Sequence, residues 1–365
     1  MRVLMVSKAC IVGIYQRKLE AIAQQGIALT VCVPPSWKDE RGEQKLERVY
    51  TDGYDLKAIP IRFNGNFHLH HYPTLGQHIR DFQPDIVHID EEPYNLATWQ
   101  ALYHARRAGA KSLYFSWQNI KRNYLPPFSW GERWVFQHVD YGLVGTDDAG
   151  DVMRTKGYKG KLATIPQFGT DSDLFQPAPS RPDRPFTIGF IARIVPEKGV
   201  DILLNAVTKL QGDWRLRLVS GGSAIDEMKA LAQSLGIADK VEFVGQLPST
   251  DLPAEYHKID VLVLPSLTRP NWKEQFGRVL VEAMASGVPI IGSDSGAIPT
   301  VIGDAGLVTP EGDVTMLTNA IQTVMDKTDL RADLIQRGRE RFLSHFTHDS
   351  IARATVDVYH EMLDS

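Results

Sequence analysis

The stretch KEQFGRVLVEAMASGVPII, residues 273 to 291, sets two carboxylates, Glu274 and Glu282, at the ends of an apolar run. A helix is expected to start near Phe276 and Gly277 and to stop at Gly287. A helix start carries amides without intrahelical acceptors and a partial positive charge, so Phe276, Gly277, Arg278 and Val279 form a candidate phosphate seat. Gly277 lets a ligand approach the backbone closely. If residues 274 to 282 were all helical they would span about 12 Å. That length is similar to the gap between the two polyol ends of a nucleoside diphosphate sugar. A carboxylate accepts from vicinal hydroxyls with two oxygens, so one glutamate could hold a ribose and the other a hexose, with the diphosphate between them. The opposing reading puts Glu274 on the surface near the helix dipole and Glu282 on a solvated face. Glu282 shares its helix stripe with Val279, Ala283 and Ser286, which points it inward.

A second constellation is GFIARIVPEKGVDILLNAV, in which Arg193 follows a strand and Lys198 opens the loop before a helix. Two cations there suit a diphosphate leaving group, whose developing negative charge they would stabilise. A surface pair, with Glu197 helping to cap the helix, accounts for the same residues; placement at the sheet edge of Glu274 and Glu282 favours the ligand. HIDEEPYN, residues 88 to 95, gathers His88, Asp90, Glu91 and Glu92 after a strand. Its spacing matches no standard metal site. An acceptor-hydroxyl contact or a general base is the expected use, with His88, Glu92 and Tyr94 as acceptor contacts. HLHHYP, residues 68 to 73, reads as solvated histidines, and VSGGSAIDE as a turn before a helix. SWQNIKRNYLPPFSWGERW mixes Trp117, Trp130 and Trp134 with Lys121, Arg122 and Arg133. It reads as a packed lid, with docking at a lipid interface as the alternative.

The elements that must position these residues are short apolar runs alternating with helix-period segments, the pattern of parallel βαβ units with helices on both sheet faces. RVLMV, ALTVCV, DIVHI and SLYFSW are strands of the first half, and TIGFIAR, WRLRLVS, VLVLPS and PIIGS of the second. QPAPSRPDRP, residues 176 to 185, holds four prolines and no large apolar residue, which makes it the expected linker. The division is therefore 1–176, 177–348, and a last helix, 349–365, expected to pack back on the first domain. In open sheets of this kind ligands bind beyond the carboxyl ends of the strands, so two such domains facing each other would make the site an interdomain cleft.

With 365 residues, the chain exceeds what one core usually serves. Residues 1 to 176 carry 21 Lys and Arg against 19 Asp and Glu, and the remainder 19 against 25. No face-long basic stripe results, which argues against nucleic acid as a partner. The first half keeps room for a patch that favours anionic lipid. Cys10 and Cys32 are too few for a disulfide framework, and Cys32 inside LTVCVP reads as a small buried side chain. The opening apolar run is too short for a secretion signal and no run approaches 18 residues, so the cytoplasm is the expected compartment, with peripheral membrane contact through the first domain allowed for.

These residues resemble the GT-B glycosyltransferases of group 1, or family 4, which move sugars from nucleotide sugars with retention of anomeric configuration. The resemblance covers essentially the whole chain and is most specific in FIARIVPEKGVDILLNAV, VEFVGQLPSTDLPAEYHKIDVLVLPS and KEQFGRVLVEAMASGVPIIGSDSGAIPTVIGDAGLV. It implies two Rossmann-like doubly wound parallel-sheet domains facing across a cleft. It implies that Glu274 contacts the donor sugar hydroxyls, Glu282 the ribose, and Arg193 and Lys198 the diphosphate. Backbone amides of Phe276 to Val279 would meet the sugar and phosphates, Gly245, Gln246 and Leu247 would lie near the base, and Gly13 would approach a phosphate. Where the family commonly carries two histidines flanking one residue, this chain has His88 and Asp90, so the second role either passes to Asp90 or Glu91 or is unnecessary. The expected activity is metal-independent transfer of a hexose from a UDP-, GDP- or ADP-sugar to a hydroxyl on a glycan or lipid, with no cofactor. The alternatives are a GT-B nucleotide-sugar epimerase and a non-catalytic two-domain sugar-binding protein. A Rossmann dehydrogenase is disfavoured, because no G-x-G-x-x-G follows the first strand.

Overall fold

Strands that are apolar on both faces belong to parallel sheets covered by helices. The computed structural model describes residues 1–39, 42–180 and 183–364. They divide into two compact units, Met1–Gly169 joined by the helix from His348 onward, and Thr170–Thr347.

In the first unit the strands are β1 (Arg2–Val6), β2 (Ala28–Val33), β3 (Ser36–Asp39), β4 (Gly42–Lys45), β5 (Asp55–Ala58), β6 (Ile86–Ile89), β7 (Lys111–Ser116), β8 (Tyr141–Val144) and β9 (Lys161–Thr164). The helices are α1 (Arg17–Ala23), α2 (Leu75–Phe82), α3 (Leu96–Ala108), α4 (Phe128–His138) and α5 (Asp147–Thr155). Seven strands form one parallel sheet in the order β5-β2-β1-β6-β7-β8-β9. The order reverses between β1 and β6, whose ends meet in register at Val6 and Ile89. The segments after these two strands carry Ser7, Lys8 and Asp90 to Glu92, which places them at the crevice where doubly wound sheets bind ligands. β3 and β4 pair as a separate antiparallel hairpin, which the sequence pattern did not announce because SWKD and GEQK lack apolar alternation.

The second unit contains β10 (Phe186–Ile191), β11 (Trp214–Val219), β12 (Val241–Gly245), β13 (Val261–Leu264), β14 (Ile290–Ser293) and β15 (Gly306–Thr309). Around them lie α6 (Val200–Val207), α7 (Ile225–Ser234), α8 (Leu252–Tyr256), α9 (Arg278–Ala285), α10 (Ile298–Ile302), α11 (Val314–Asp326) and α12 (Thr328–His345). The sheet is again parallel, in the order β12-β11-β10-β13-β14-β15, with its switch between β10 and β13. Its core is continuous, from Ile188 and Phe190 on β10 to Leu280 and Val281 on α9 and Phe342 on α12.

The last helix, α13 (His348–Asp364), belongs to the first unit and touches α1. Its Ile351, Val356, Tyr359 and Met362 join the core built by Val3 and Met5 of β1 and Leu19 and Ile22 of α1. The expected linker, 176–185, contains residues 181 and 182, which lie outside the described residues. The units separate earlier, at Gly169 and Thr170. Phe175 is already in the second core, and the Gln176 carbonyl oxygen lies 2.8 Å from His257 Nε2. Cys10 and Cys32 are free and buried. Among the described residues, no helix is long and apolar enough to cross a membrane.

Candidate functional site

In the second unit the switch point brings three loops together. After β10 the chain places Arg193 on the surface and then forms a single turn, Pro196–Lys198, ahead of α6. After β13 it places Ser266, and the Leu267 amide donates to the Glu197 carbonyl at 2.8 Å, which ties the two loops. Lys198 Nζ donates to Glu274 Oε2, and the Ser266 hydroxyl donates to the same oxygen at 2.8 Å. The Lys198 ammonium also lies 5.1 Å from the centre of the Trp272 ring. Glu274 is thus a buried carboxylate to which Lys198 and Ser266 both donate, from the loops that follow β10 and β13, where a ligand is expected.

Glu274 is not helical. α9 begins at Arg278 with Gly277 before it at φ 75°, a left-handed conformation that suits glycine. The extended estimate for an unbroken helix from 274 to 282 therefore does not apply; only Glu282 rides on the helix. The chain folds back after β14, where the Ala297 amide donates to the Glu274 carbonyl at 3.1 Å. Gly296 stands there at φ 52°, and a Cβ on it would overlap the Glu274 carbonyl oxygen. Phe276 turns its ring toward Phe346, with centroids 5.9 Å apart, which fixes the backbone just ahead of α9.

Glu282 points inward, as its stripe implies, and is 5% exposed. The Tyr256 hydroxyl donates to its Oε2 at 2.7 Å, and Arg278 Nε pairs with Oε1 at 3.2 Å, one turn back on the helix. Burial raises its pKa against the pull of Arg278 and the Tyr256 hydrogen bond. Gly245 ends β12, the edge strand, and its carbonyl accepts from the Ser220 amide at 2.8 Å. Gln246 is exposed beyond it, and Leu247 packs against the core. The glycine turn after β11 is structural: a Cβ on Gly222 would overlap the Ile194 backbone.

The first unit treats its four acidic-loop candidates very differently. His88 lies within β6, fully buried, with Nδ1 2.6 Å from the Tyr359 hydroxyl of α13. Through Nδ1 it fastens the last helix, while its Nε2 is buried without a hydrogen-bond partner. Burial holds its pKa well below the usual histidine range, so the ring is neutral. Asp90 is buried between the Ser7 hydroxyl at 2.6 Å and Gln167 Nε2 at 2.9 Å. Burial raises its pKa, although Lys18 and the two hydrogen bonds oppose the rise.

Glu91 is also buried, and Lys8 Nζ and Asn95 Nδ2 both donate to its Oε2, the latter at 3.3 Å. Its Oε1 accepts from the Lys8 amide at 3.1 Å. Burial pushes its pKa up, but Lys8 and His70 outweigh burial and hold it at about 2. A carboxylate so acidic and enclosed is a poor proton acceptor at neutral pH, which weighs against Glu91 as a general base. Glu92 is half-buried, accepts from the Ser116 hydroxyl at 2.6 Å and the Trp117 amide at 2.8 Å, and is raised by desolvation to about 7. Tyr94 is half-buried, its ring 4.5 Å from that of Tyr124.

Two further expectations change. The Gly13 amide donates to Glu47 Oε2 at 2.6 Å, and a Cβ there would crowd Val49, so a neighbouring carboxylate holds the amide assigned to a phosphate. His70, read as solvated, is fully buried and lies 3.5 Å from Glu91. Trp117 and Trp134 pack inward, whereas Trp130 is exposed. Sequence reasoning missed Ser266, Tyr256, Lys8 and Gln167. Ser266 and Lys8 had a signal, since each lies within two residues of a strand's carboxyl end; Tyr256, at the end of α8, and Gln167, in the segment after β9, are distant in sequence from the carboxylates they bind and had none.

Two all-parallel doubly wound sheets are the architecture of the GT-B class. Residues 16–168 match the model for Glycosyltransferase Family 4 and residues 171–341 that for Glycosyl transferases group 1, and the chain belongs to this family. It is 34% identical over 226 residues to the MMP alpha-(1->4)-mannosyltransferase of Mycolicibacterium hassiacum, covering 60% of this chain and 53% of that protein. It is 30% identical over 206 residues to the GDP-mannose-dependent alpha-(1-6)-phosphatidylinositol monomannoside mannosyltransferase of Mycobacterium tuberculosis, covering 52% and 53%. The chain thus spans about half the length of these relatives. Sucrose-phosphate synthase from Thermosynechococcus elongatus shares the fold, with TM-score 0.71, 21% identity, and coverage of 100% of this chain and 99% of that one.

Proposed function

We propose that this chain transfers a hexose from a nucleoside diphosphate sugar to a hydroxyl of a glycan or lipid acceptor, with retention of configuration. The observation that carries the reading is Glu274, a buried carboxylate set by Lys198 and Ser266 at the switch point of the second sheet. A buried carboxylate in that place accepts from sugar hydroxyls and discriminates by the hydroxyls it can satisfy. Lys198 and Arg193 offset the negative charge that develops on the departing diphosphate, and the start of α9 supplies amides and a partial positive charge. Arg193 is exposed and makes no ion pair with another described residue, so its charge is available to a ligand. Glu282, braced by Tyr256, holds the ribose. The leaving group departs on the face from which the acceptor attacks, and the first unit supplies the acceptor contacts, with Glu92 and Tyr94 at its edge.

These basic residues do the work a divalent cation does elsewhere, and no cofactor enters the reaction. The M. tuberculosis relative's name specifies GDP-mannose, which puts that donor first in a panel with UDP- and ADP-sugars. The test is release of nucleoside diphosphate from each donor, with and without candidate glycan and lipid acceptors. Acceptor-dependent release that survives a chelator supports the reading. Donor consumption to a free epimerised sugar without an acceptor overturns it, as does binding without turnover of any donor. Substituting both Arg193 and Lys198 by Gln is expected to weaken nucleoside diphosphate binding by at least ~tenfold in calorimetry; unchanged affinity contradicts their assignment.

A further inference from the structure

We propose that the first unit docks on an anionic lipid surface through the segments around residues 62–71 and 119–133, with a basic cavity there seating one lipid phosphate. Phe63, Phe67, Leu69, Leu125 and Trp130 are large apolar side chains left exposed on these two segments, with Leu125 81% and Trp130 65% exposed. The segments adjoin, because the His68 ring lies 4.8 Å from that of Phe128 and 5.5 Å from that of Tyr124. A folded chain rarely groups such side chains on its surface unless something covers them.

What covers them is indicated by charge. Beside Leu125 and Trp130 a cavity of about 230 Å³ is lined by Lys121, Arg122, Tyr124, Ser129, Arg133 and Lys156. Lys156 is nearly buried, donates to Gln118 Oε1 at 2.9 Å, and pairs with Glu132, the acidic residue of the lining. That pairing neutralises Glu132 and leaves Lys121, Arg122 and Arg133 exposed, none of them in an ion pair with another described residue. Three uncompensated cations around a recess several waters wide, at ~30 Å³ per water, suit a phosphodiester. The rim decides which phosphate. A free phosphate has no use for an exposed leucine and tryptophan, whereas aromatic and aliphatic tips beside Lys and Arg match the interfacial layer of a bilayer. A nucleic acid would want a continuous basic track, which this recess does not extend into.

The use of this surface rests on the transferase reading, since docking would bring the first unit to a lipid acceptor; the docking itself does not depend on donor chemistry. The test is co-sedimentation of the full chain with vesicles of phosphatidylcholine alone or mixed with phosphatidylglycerol, at low and high salt. The chain is expected to sediment with the mixed vesicles only, and less at high salt. Replacing Lys121, Arg122 and Arg133 by Gln should weaken partition about fivefold per residue, or on the order of a hundredfold together. Leu125→Ser with Trp130→Ser should abolish what binding persists at high salt. These positions are exposed, and circular dichroism checks that each variant folds. Glu274→Gln should still bind vesicles, so failed turnover and failed docking are separable. Equal binding to both vesicle types, an unaffected triple variant, or calorimetric binding of inorganic phosphate or RNA without vesicle binding overturns the proposal.

Discussion

Three adjacent carboxyl groups, Asp90, Glu91 and Glu92, are driven to different acidities by their neighbours. Glu91 is held at about 2 because Lys8 and His70 outweigh burial, so its contribution to stability is complete above the ordinary value of 4.5 and is lost as pH falls toward 2. Glu92 behaves oppositely. Its folded value is about 7, so its contribution is present below about 4.5 and is lost as pH rises through 7. Denaturant midpoints measured against pH should therefore show Glu91→Gln removing part of the acid-side slope and Glu92→Gln flattening the region between 4.5 and 7. A Glu91→Gln slope identical to the parent would contradict the ion pair. Tyr359→Phe leaves His88 Nδ1 buried without its hydroxyl partner, a loss of ~1–3 kcal/mol that urea titration can read. At this scale the sequence identified residue types and their order after a strand, but not which side of the strand end each occupies. His88 was legible as a histidine of the β6 segment; its burial against Tyr359, 271 positions away, was not.

At the level of elements, the proposed donor site depends on loops held by short-range sterics. Gly296 permits the chain to pass against the Glu274 carbonyl at a positive φ, so Gly296→Ala should push the loop off its seat. A stability loss of ~1–3 kcal/mol is expected, with a larger fall in donor turnover than the stability change alone gives. Calorimetry paired with initial rates checks this; full activity in the alanine variant would show that the Glu274 loop tolerates displacement. The strands and most helices were readable because buried parallel strands announce themselves as apolar runs. The β3–β4 hairpin escaped because its residues are polar and its pairing lies outside the sheet. The start of α9 was read within two residues, yet those residues decide whether Glu274 is helical, and at Gly277, left-handed at φ 75°, a Cβ would crowd Leu264 and Leu280.

At the scale of the molecule, the chain builds two separate cores and sends its last helix back to the first. Deleting residues 348 to 365 removes Ile351, Val356, Tyr359 and Met362 from the core shared with α1. The first unit should then melt at a lower temperature while the second keeps its transition, which scanning calorimetry with a probe in each unit resolves. An unchanged first transition would mean that α13 is dispensable to that core. Two domains were legible from length and from the restart of the strand–helix alternation. The proline-rich segment lies later than the division between the units at Gly169 and Thr170, because Phe175 already packs in the second core despite a loop-like sequence. The transferase proposal turns on the second unit holding a nucleotide sugar by Glu274. Its most direct test is the steady-state rate of diphosphate release by Glu274→Gln with the preferred donor and acceptor. A fall of at least ~tenfold in kcat/KM with the circular dichroism spectrum unchanged is the predicted result; parental kinetics in that folded variant would contradict the claim.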